Sequence, residues 1–328
     1  MLRAAIVTEG GGESGTGHLR RCVALAEALV EQGCESFFVA NDDSIPREIL
    51  SGREAHFFEW RTDAERLSPL LHGVSIAVID SYHASEGFYA RVAAQVPVTA
   101  AIDDYCRLPY PVPIVINGAL YAPLLPFAKG SMLWLGPDYA LMRRAFWKQP
   151  EKVIQSHVST ILITFGGSDV RHVAPQVVDC IQQISPRWRK KVVLGCALEE
   201  VDQMRAVADG STELLTQLSA EEMRNLMVEA DIAVSAGGQT LHELACIGVP
   251  TVTVAVADNQ LLNVQAFART QMMDYAGWWQ HSQTLVEILR QLDRLENLEL
   301  REARHRALRS RFDGQGACRV AQKLLRAC

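Results

Sequence analysis

The chain has 328 residues, of which 48% are hydrophobic and 21% are charged, a composition typical of a globular protein long enough for two separate cores. Its net charge of -6 and its pI near 5.9 argue against a general nucleic-acid binder, because proteins that track phosphates usually carry a basic surplus. The sequence begins without the basic and long apolar regions of a signal peptide, and no apolar stretch approaches the roughly 18 residues of a membrane span. We therefore expect a soluble, cytoplasmic protein without an integral membrane segment.

Eight cysteines are scattered along the chain without a C-x-x-C pair or an adjacent histidine cluster. This spacing predicts neither a zinc site nor a disulfide framework. Several cysteines, such as Cys22 and Cys246, fall on apolar faces, where a cysteine behaves as a small buried hydrophobe. We expect the protein to need no metal and no other cofactor.

The first predicted strand, residues 4–8, leads into a loop with five glycines and then into a helix that ends at Gly33. His18 opens this helix, where the positive end of the helix dipole disfavours an imidazolium ion. Gly15 and Gly17 leave a bare backbone beside it, to which a ligand can approach closely. His18 is therefore a candidate general base, and a histidine that only caps the turn is the alternative interpretation.

Five further apolar strands are predicted in the first half of the chain, at residues 37–40, 56–58, 76–79, 98–102 and 114–116. Apolar strands that alternate with helices indicate a doubly wound parallel sheet, and ligands bind such sheets at the carboxyl ends of the strands. Asp80, Asp103 and Asn117 each follow one of these strands, and Tyr82 comes just after Asp80. Together they are predicted to form a polar rim around His18, although each residue alone is also typical of a turn or helix cap.

A polar, proline-containing stretch at residues 148–152 is predicted to be a linker between two domains. The expected boundaries are 1–148 for the first domain and 149–328 for the second. The last helix, near residues 317–327, is a candidate to pack back on the first domain.

The second domain repeats the strand, turn and helix arrangement of the first. Its first strand, residues 160–165, is followed by a turn in which Gly166, Gly167 and Ser168 again expose backbone. Residues 219–222 have the pattern of a capping box and predict the start of a helix.

The stretch 230–250 combines an apolar strand, a glycine turn and a helix. Gly237 and Gly238 have no Cβ atom to keep a ligand away. The helix that follows, with Gln239 and Thr240 at its start, directs free N–H groups and a partial positive charge at the turn. The stretch therefore predicts a site for a diphosphate.

Glu243 lies about one turn inside this helix, where a carboxylate can accept hydrogen bonds from a ribose diol. The next strand, residues 251–256, leads to Asn259 and Gln260, whose amides suit sugar hydroxyls. The alternative interpretation is an ordinary turn with a solvated glutamate, since short glycine motifs often mislead.

An ordered set of motifs is spread over nearly the whole chain, at residues 15–22, 80–82, 102–104, 136–143, 166–169, 235–243, 259–260 and 313–317. In this order the motifs resemble those of the pseudaminic acid pathway UDP-sugar hydrolases. That group also includes spore-coat polysaccharide proteins, and it is similar to the glycosyltransferase of peptidoglycan synthesis that makes lipid II.

The resemblance implies a GT-B architecture, in which two Rossmann-like domains with doubly wound parallel sheets face each other across a cleft. It also implies the removal of UDP from a UDP-linked diacetamido-trideoxy hexose by water, with the nucleotide mainly on the second domain. Residue by residue, it matches His18 to the catalytic histidine, Tyr82 to a tyrosine near the substrate, Gly237 and Gly238 to the diphosphate turn, Glu243 to the ribose-binding glutamate, and Asn259 and Gln260 to sugar contacts. We include Tyr82 with His18 among the candidate catalytic residues, and Arg20, which lies within the histidine motif, among the binding residues.

Three functions are compatible with these residues. The first is an inverting UDP-sugar hydrolase, in which His18 takes a proton from water as the water attacks the anomeric carbon. The second is an inverting glycosyltransferase that uses the same donor with an acceptor hydroxyl in place of water. The third is a non-catalytic nucleotide-sugar sensor, against which the combination of histidine, polar rim and phosphate turn argues.

Overall fold

The computed structural model describes residues 2–11, 15–166, 169, 171–195 and 198–328. Contacts within the chain define two compact units. Unit 1 consists of Met1–Trp147 together with Gly314–Cys328, and unit 2 consists of Lys148–Asp313.

Strands and helices alternate along most of the described chain. In order they are β1 (Arg3–Thr8), α1 (Gly17–Glu31), β2 (Glu35–Ala40), α2 (Ser44–Ile49), β3 (Ala55–Phe57), α3 (Ala64–Leu70), β4 (Ile76–Asp80), α4 (Glu86–Ala93), β5 (Val98–Ile102), β6 (Ile114–Asn117), β7 (Met132–Leu135), β8 (Thr160–Thr164), α5 (Val173–Ile184), β9 (Arg189–Val193), α6 (Leu198–Val207), β10 (Thr212–Leu215), α7 (Ala220–Glu229), β11 (Ile232–Ala236), α8 (Thr240–Ile247), β12 (Thr251–Ala255), α9 (Leu261–Arg269), β13 (Asp274–Trp278), α10 (Thr284–Arg294), α11 (Leu298–Arg309) and α12 (Gly316–Arg326). Short 3-10 turns cover Ala122–Leu124, Pro137–Tyr139, Arg144–Phe146 and Asp258–Gln260.

The described part of unit 1 contains a parallel sheet with the strand order β3-β2-β1-β4-β5-β6-β7. Its central strands are buried on both faces, which confirms the parallel sheet predicted from their continuous apolar sequences. The strand order reverses between β1 and β4, where Thr8 pairs with Asp80. Such a switch point opens a crevice at the carboxyl ends of the strands.

The last helix, α12, belongs to unit 1, where it packs against α1. Its first residue, Gly316, lies against the backbone of Ala140, and a Cβ atom there would overlap the Ala140 carbonyl oxygen. A Cβ atom on Gly118, directly after β6, would likewise overlap the backbone of Ala140. Lys323 adds a hydrogen bond of 2.9 Å to the Tyr139 hydroxyl. The two glycines therefore let the main chain around Ala140 pack tightly against both elements.

The described part of unit 2 contains a second parallel sheet, with the strand order β10-β9-β8-β11-β12-β13. Its strand order reverses between β8 and β11, so the turns after these two strands lie at a second switch point. Ser219 and Glu222 form the predicted capping box at the start of α7. Gly248 ends α8 in the left-handed region, with a φ of 79°.

The sequence missed β7, β10 and β13, each of which lies at the edge of its sheet. Among the helices of the described chain, none combines the length and the apolar character that a membrane span requires.

Candidate active site

The loop between β1 and α1 is tight, and its backbone conformation requires glycine. Gly11 and Gly15 have φ values of 88° and 63°, a region that favours glycine, and the Gly11 N–H donates to the Gly15 carbonyl at 3.0 Å. A Cβ atom on Gly10 would overlap the Leu19 side chain of α1. Residues 12–14 of the predicted loop lie outside the described residues. His18 follows in the first turn of α1, as predicted, and its surface is 3% exposed.

The backbone beside His18 is open. No described atom lies within 4 Å of the position that a Cβ atom would take on Gly15 or Gly17. Arg20 is exposed on α1, and its Nε donates to the Thr16 hydroxyl at 3.3 Å. These three residues thus form the accessible side of the helix start.

His18 is paired with Asp80 at the end of β4. The Nδ1 atom of His18 lies 2.5 Å from Oδ1 of Asp80, which has no exposed surface. Burial acts to raise the pKa of Asp80, but the Arg21 guanidinium and His18 outweigh it and hold that pKa below its usual range. An ionised Asp80 accepts a hydrogen bond, so Nδ1 of His18 carries the proton and Nε2 is left as the proton acceptor.

Arg21 binds both carboxylates next to His18. Its Nε and Nη2 each donate to Asp80 at 2.6 Å, and its Nη1 donates to Asp104 at 2.8 and 3.0 Å. The guanidinium side chain is 12% exposed. Sequence reasoning placed Asp104 among the polar groups around His18, but it did not predict the contact with Arg21, which spans 83 residues of sequence.

Tyr82 lies with its ring edge against His18, at a centroid distance of 4.2 Å and an interplanar angle of 84°. Its hydroxyl donates to Oδ2 of Asp104 at 2.7 Å. Burial and the Asp104 charge raise the pKa of Tyr82, so the phenol stays protonated and acts as a hydrogen-bond donor. This geometry gives Tyr82 a supporting position beside the imidazole ring.

Glu9 is a buried carboxylate that sequence reasoning missed. It directly follows β1 and is 3% exposed. It accepts hydrogen bonds from the Ser81 hydroxyl at 2.7 Å and from the Tyr82 N–H at 2.8 Å. Glu9 therefore fixes the turn that carries Tyr82. The sequence signal that could have identified Glu9 was a single acidic residue at the end of an apolar strand.

Asp103 and Asn117 form turns rather than a rim of free polar groups. Asp103 is 3% exposed and accepts hydrogen bonds from the Cys106 N–H at 2.5 Å and from the Tyr110 hydroxyl at 2.6 Å. Asn117 is fully buried, and its Oδ1 accepts from the Ala119 N–H at 2.9 Å. For these two residues the structure favours the turn-forming interpretation that the sequence left open.

In unit 2, the two glycines after β11 have different surroundings. A Cβ atom on Gly237 would lie 2.6 Å from Cγ1 of Val264 and 2.7 Å from Cβ of Gln260, whereas no described atom lies within 4 Å of the equivalent position on Gly238. The Gly237 N–H also donates to Oε1 of Gln260 at 3.1 Å. The room predicted at both glycines is thus found at Gly238, and Gly237 is required by packing.

The prediction that Gln260 contacts a sugar needs correction for its oxygen atom. That oxygen accepts hydrogen bonds from the N–H groups of Gly237 and Val256, both at 3.1 Å, because the 3-10 turn directs the side chain inward. Asn263, which the sequence did not identify, is 6% exposed and donates from Nδ2 to the Gly237 carbonyl at 2.9 Å. Two amide side chains therefore brace the glycine turn, while Asn259 is exposed beside them.

Helix α8 begins at Thr240, directly after this turn. Gln239 and Thr240 are half-buried, and Glu243 is 5% exposed in the first turn of the helix. Nδ1 of His242 lies 3.5 Å from Oε1 of Gln239. The first turn of α8 thus carries its carboxylate close to the N-terminal end of the helix dipole.

The turn after β8 holds the remaining candidates. Gly166 has a φ of 93° and open space at its Cβ position as far as the described atoms extend. Gly167 and Ser168 lie outside the described residues. Asp169 accepts hydrogen bonds from the N–H groups of Val173 and Ala174 and thereby caps α5. Within the described chain, no group of three or more His, Cys, Asp or Glu side chains is arranged to hold a metal ion.

These features define the class of fold. The chain consists of two Rossmann-like parallel-sheet domains of the GT-B type. The crystal structure of MurG from Acinetobacter baumannii has a TM-score of 0.73 to this chain at 15% identity, covering 99% of this chain and 100% of that one. Residues 160–313 match the family described as Glycosyltransferase family 28 C-terminal domain.

Two sequence relatives have names that include a biosynthetic process or an activity. Spore coat polysaccharide biosynthesis protein SpsG of Bacillus subtilis (strain 168) is 24% identical over 335 residues, covering 97% of this chain and 96% of that protein. The Helicobacter pylori protein named pseudaminic acid cytidylyltransferase and UDP-2,4-diacetamido-2,4,6-trideoxy-beta-L-altropyranose hydrolase is 24% identical over 269 residues. That match covers 77% of this chain but 44% of the Helicobacter protein, so this chain spans less than half of its length.

Proposed function

We propose that this protein is an inverting hydrolase that releases UDP from a UDP-linked diacetamido-trideoxy hexose. The observation that carries the proposal is the buried pair of His18 and Asp80 at the switch point of unit 1. The substrate class is supported by the name of the Helicobacter relative, which includes hydrolysis of such a UDP-sugar.

His18 is the general base in this proposal. Asp80 holds the Nδ1–H tautomer, so Nε2 takes a proton from water as the water attacks the anomeric carbon. Tyr82 supports the imidazole ring rather than transferring a proton itself. Gly15, Gly17 and Arg20 lie on the accessible side of the helix start, where substrate approach is expected.

Unit 2 binds the nucleotide in this proposal. The diphosphate is held by the start of α8 after Gly238, with Gln239 and Thr240 beside it, and Glu243 binds the ribose. The turn at Gly166 contributes backbone, and Asn259 contacts the sugar. UDP leaves as an anion stabilised by backbone N–H groups, so a carboxylic acid that protonates the leaving oxygen is unnecessary.

An inverting glycosyltransferase that uses a UDP-sugar donor is the second candidate. It is favoured by the similarity to MurG and by the family match over residues 160–313. His18 would then take the proton of an acceptor hydroxyl instead of water. A non-catalytic binding protein is less well supported, since ligand binding alone needs no oriented histidine and aspartate pair.

The purified protein, incubated with a UDP-linked diacetamido-trideoxy hexose and no acceptor, tests the proposal. Steady release of UDP together with free sugar is expected, and the His18→Asn variant is the control for contaminating activity. UDP-N-acetylglucosamine serves as the comparison substrate. If UDP appears only after an acceptor is added, the protein is a glycosyltransferase and the hydrolase assignment is wrong.

A further inference from the structure

Arg21 lies one helical turn after His18 and binds two carboxylates, Asp80 and Asp104. It donates two hydrogen bonds to Asp80, which holds Nδ1 of His18, and two to Asp104, which holds the hydroxyl of Tyr82. Its Nη2 also lies 3.2 Å from Nδ1 of His18.

We propose that Arg21 is a positioning residue that sets the pH range over which His18 can accept a proton, an inference that rests on the proposed role of His18 as a base. Arg21 does this by compensating the charge of Asp80 without removing its hydrogen bond to His18. It also keeps Asp104 in place, so that Tyr82 stays against the imidazole ring.

The argument follows from the charges around His18. Asp80 from β4 and Asp104 from the turn after β5 are anions, and Arg21 from α1 is the cation between them. The buried Glu9 carboxylate, which follows β1, binds the Tyr82 N–H and lies 3.8 Å from the Arg61 guanidinium. Three further titratable groups are the Tyr82 and Tyr105 phenols, which lie 3.4 Å apart, and the Cys22 thiol, which lies 3.5 Å from Asp80. Burial raises the pKa of each of these three groups, so they remain neutral.

The charged side chains that hydrogen-bond to His18, to the Tyr82 hydroxyl or to one another therefore carry one net negative unit, from two carboxylates and one guanidinium. Loss of the Arg21 charge leaves two uncompensated carboxylates, which stabilise the imidazolium ion. Loss of the Asp104 charge leaves Arg21 to compensate Asp80 fully, which destabilises the imidazolium ion. The two changes must move the protonation of His18 in opposite directions, whereas a purely structural role predicts no such opposition.

The test is an NMR titration of the full chain with labelled histidine, in which the His18 signal is assigned by its loss in His18→Asn. Arg21→Met is expected to raise the pH at which half of His18 is protonated by about one unit. Asp104→Asn is expected to lower it by a similar amount. The matched control is Arg53→Met, which breaks an ion pair with Glu27 on an outer face of α1 and should leave the midpoint unchanged.

Two further measurements make the outcome decisive. The nitrogen chemical shifts of wild-type His18 should show the proton on Nδ1, and Arg21→Lys should keep the midpoint closer to wild type than Arg21→Met does. If Arg21→Met does not fold, Arg21→Gln takes its place, because it removes the same charge and the same direction of shift is expected. An unchanged midpoint in Asp104→Asn, or midpoints that move in the same direction in both variants, overturns the inference.

The titration needs no substrate, so it separates this inference from the proposed function. Opposite midpoint shifts without turnover of any UDP-sugar would leave the inference standing and contradict the hydrolase assignment. Where turnover is measurable, the acid limb of the kcat/KM profile should shift to higher pH in Arg21→Met and to lower pH in Asp104→Asn.

Discussion

The two candidate regions lie at equivalent places in their sheets but differ in composition: one contains charged side chains, and the other contains glycine backbone and neutral amides. In unit 1 the switch point is occupied by buried charges, with Asp80 and Asp104 bound to one guanidinium. In unit 2 the switch point is a glycine turn, with Gly237 buried and Gly238 half-buried, that neutral amides brace through Gln260 and Asn263. A strand-end crevice is common to both, and the side chains decide what each one can do.

This difference predicts which kind of substitution each region cannot tolerate. A proton acceptor needs a fixed tautomer and a defined local charge, so unit 1 should be sensitive to neutralisation of a single side chain. An anion site made of backbone N–H groups needs open space and a stable turn, so unit 2 should be sensitive to added volume. The predictions below are ordered from the largest expected effect to the smallest, and each tests this contrast.

Replacement of the proposed base should have the largest effect. His18→Asn is expected to lower kcat about a hundredfold or more, because an amide cannot take a proton from water. UDP affinity should change little, since we assign UDP to unit 2. Steady-state kinetics and calorimetry with UDP measure both quantities, with the exposed His72→Asn as the control. A near-normal kcat in His18→Asn would leave His18 as a structural residue.

Neutralisation of Asp80 should damage both stability and rate. Asp80→Asn leaves the buried Arg21 with one carboxylate, and we expect the free energy of unfolding to fall by about 2 kcal/mol at neutral pH. The folded protein lowers the pKa of Asp80, so its contribution is complete above about pH 4 and is lost as the pH falls further. Urea unfolding at pH 7, 5 and 3.5 should therefore show the gap between variant and wild type narrowing in acid.

The control for that experiment is Asp179→Asn, on an exposed part of α5. A gap between Asp80→Asn and wild type that stays constant from pH 7 to pH 3.5 would contradict an ionised, stabilising Asp80.

The glycine pair of unit 2 offers a matched comparison. Gly237→Ala is expected to lower the free energy of unfolding by about 1.5 kcal/mol, because its Cβ atom would crowd Val264 and Gln260. Gly238→Ala has room in the described structure and should leave stability nearly unchanged while it weakens UDP binding. Chemical denaturation and calorimetry test the pair, and equal stability of the two variants would contradict the packing difference.

Glu243→Ala should have the smallest of the listed effects on catalysis. A ribose contact stabilises ground and transition states alike, so we expect KM to rise about tenfold while kcat changes little. Calorimetry that shows unchanged UDP affinity would remove Glu243 from the nucleotide site.

Much of the fold was predictable because the central strands of a parallel sheet are apolar without interruption, as in β1, β4 and β8. The missed strands β10 and β13 lie at sheet edges, where one neighbour is absent and polar residues are tolerated. In β13, Asp274 and Gly277 interrupt the apolar pattern. These two edge strands therefore lack the apolar pattern on which the prediction depended, whereas the edge strand β3 was predicted.

The candidate site was predictable where local sequence determines geometry, as for His18 after the glycine loop and for the turn before α8. The ion pairs of the site were not predictable, because Asp80 and Arg21 are 59 residues apart and lie on different elements, β4 and α1. The hydrogen bond that Gln260 accepts from the Gly237 N–H spans 23 residues of sequence, and no local pattern records it.

The most direct test of the central claim is hydrolysis of the UDP-sugar in isotopically labelled water. If a water activated by His18 attacks the anomeric carbon while backbone N–H groups stabilise the departing UDP, the heavy oxygen must appear in the free sugar. UDP should remain unlabelled, and the first sugar anomer released should be opposite to that of the substrate. Label in the β-phosphate of UDP would mean attack at phosphorus and would contradict the account.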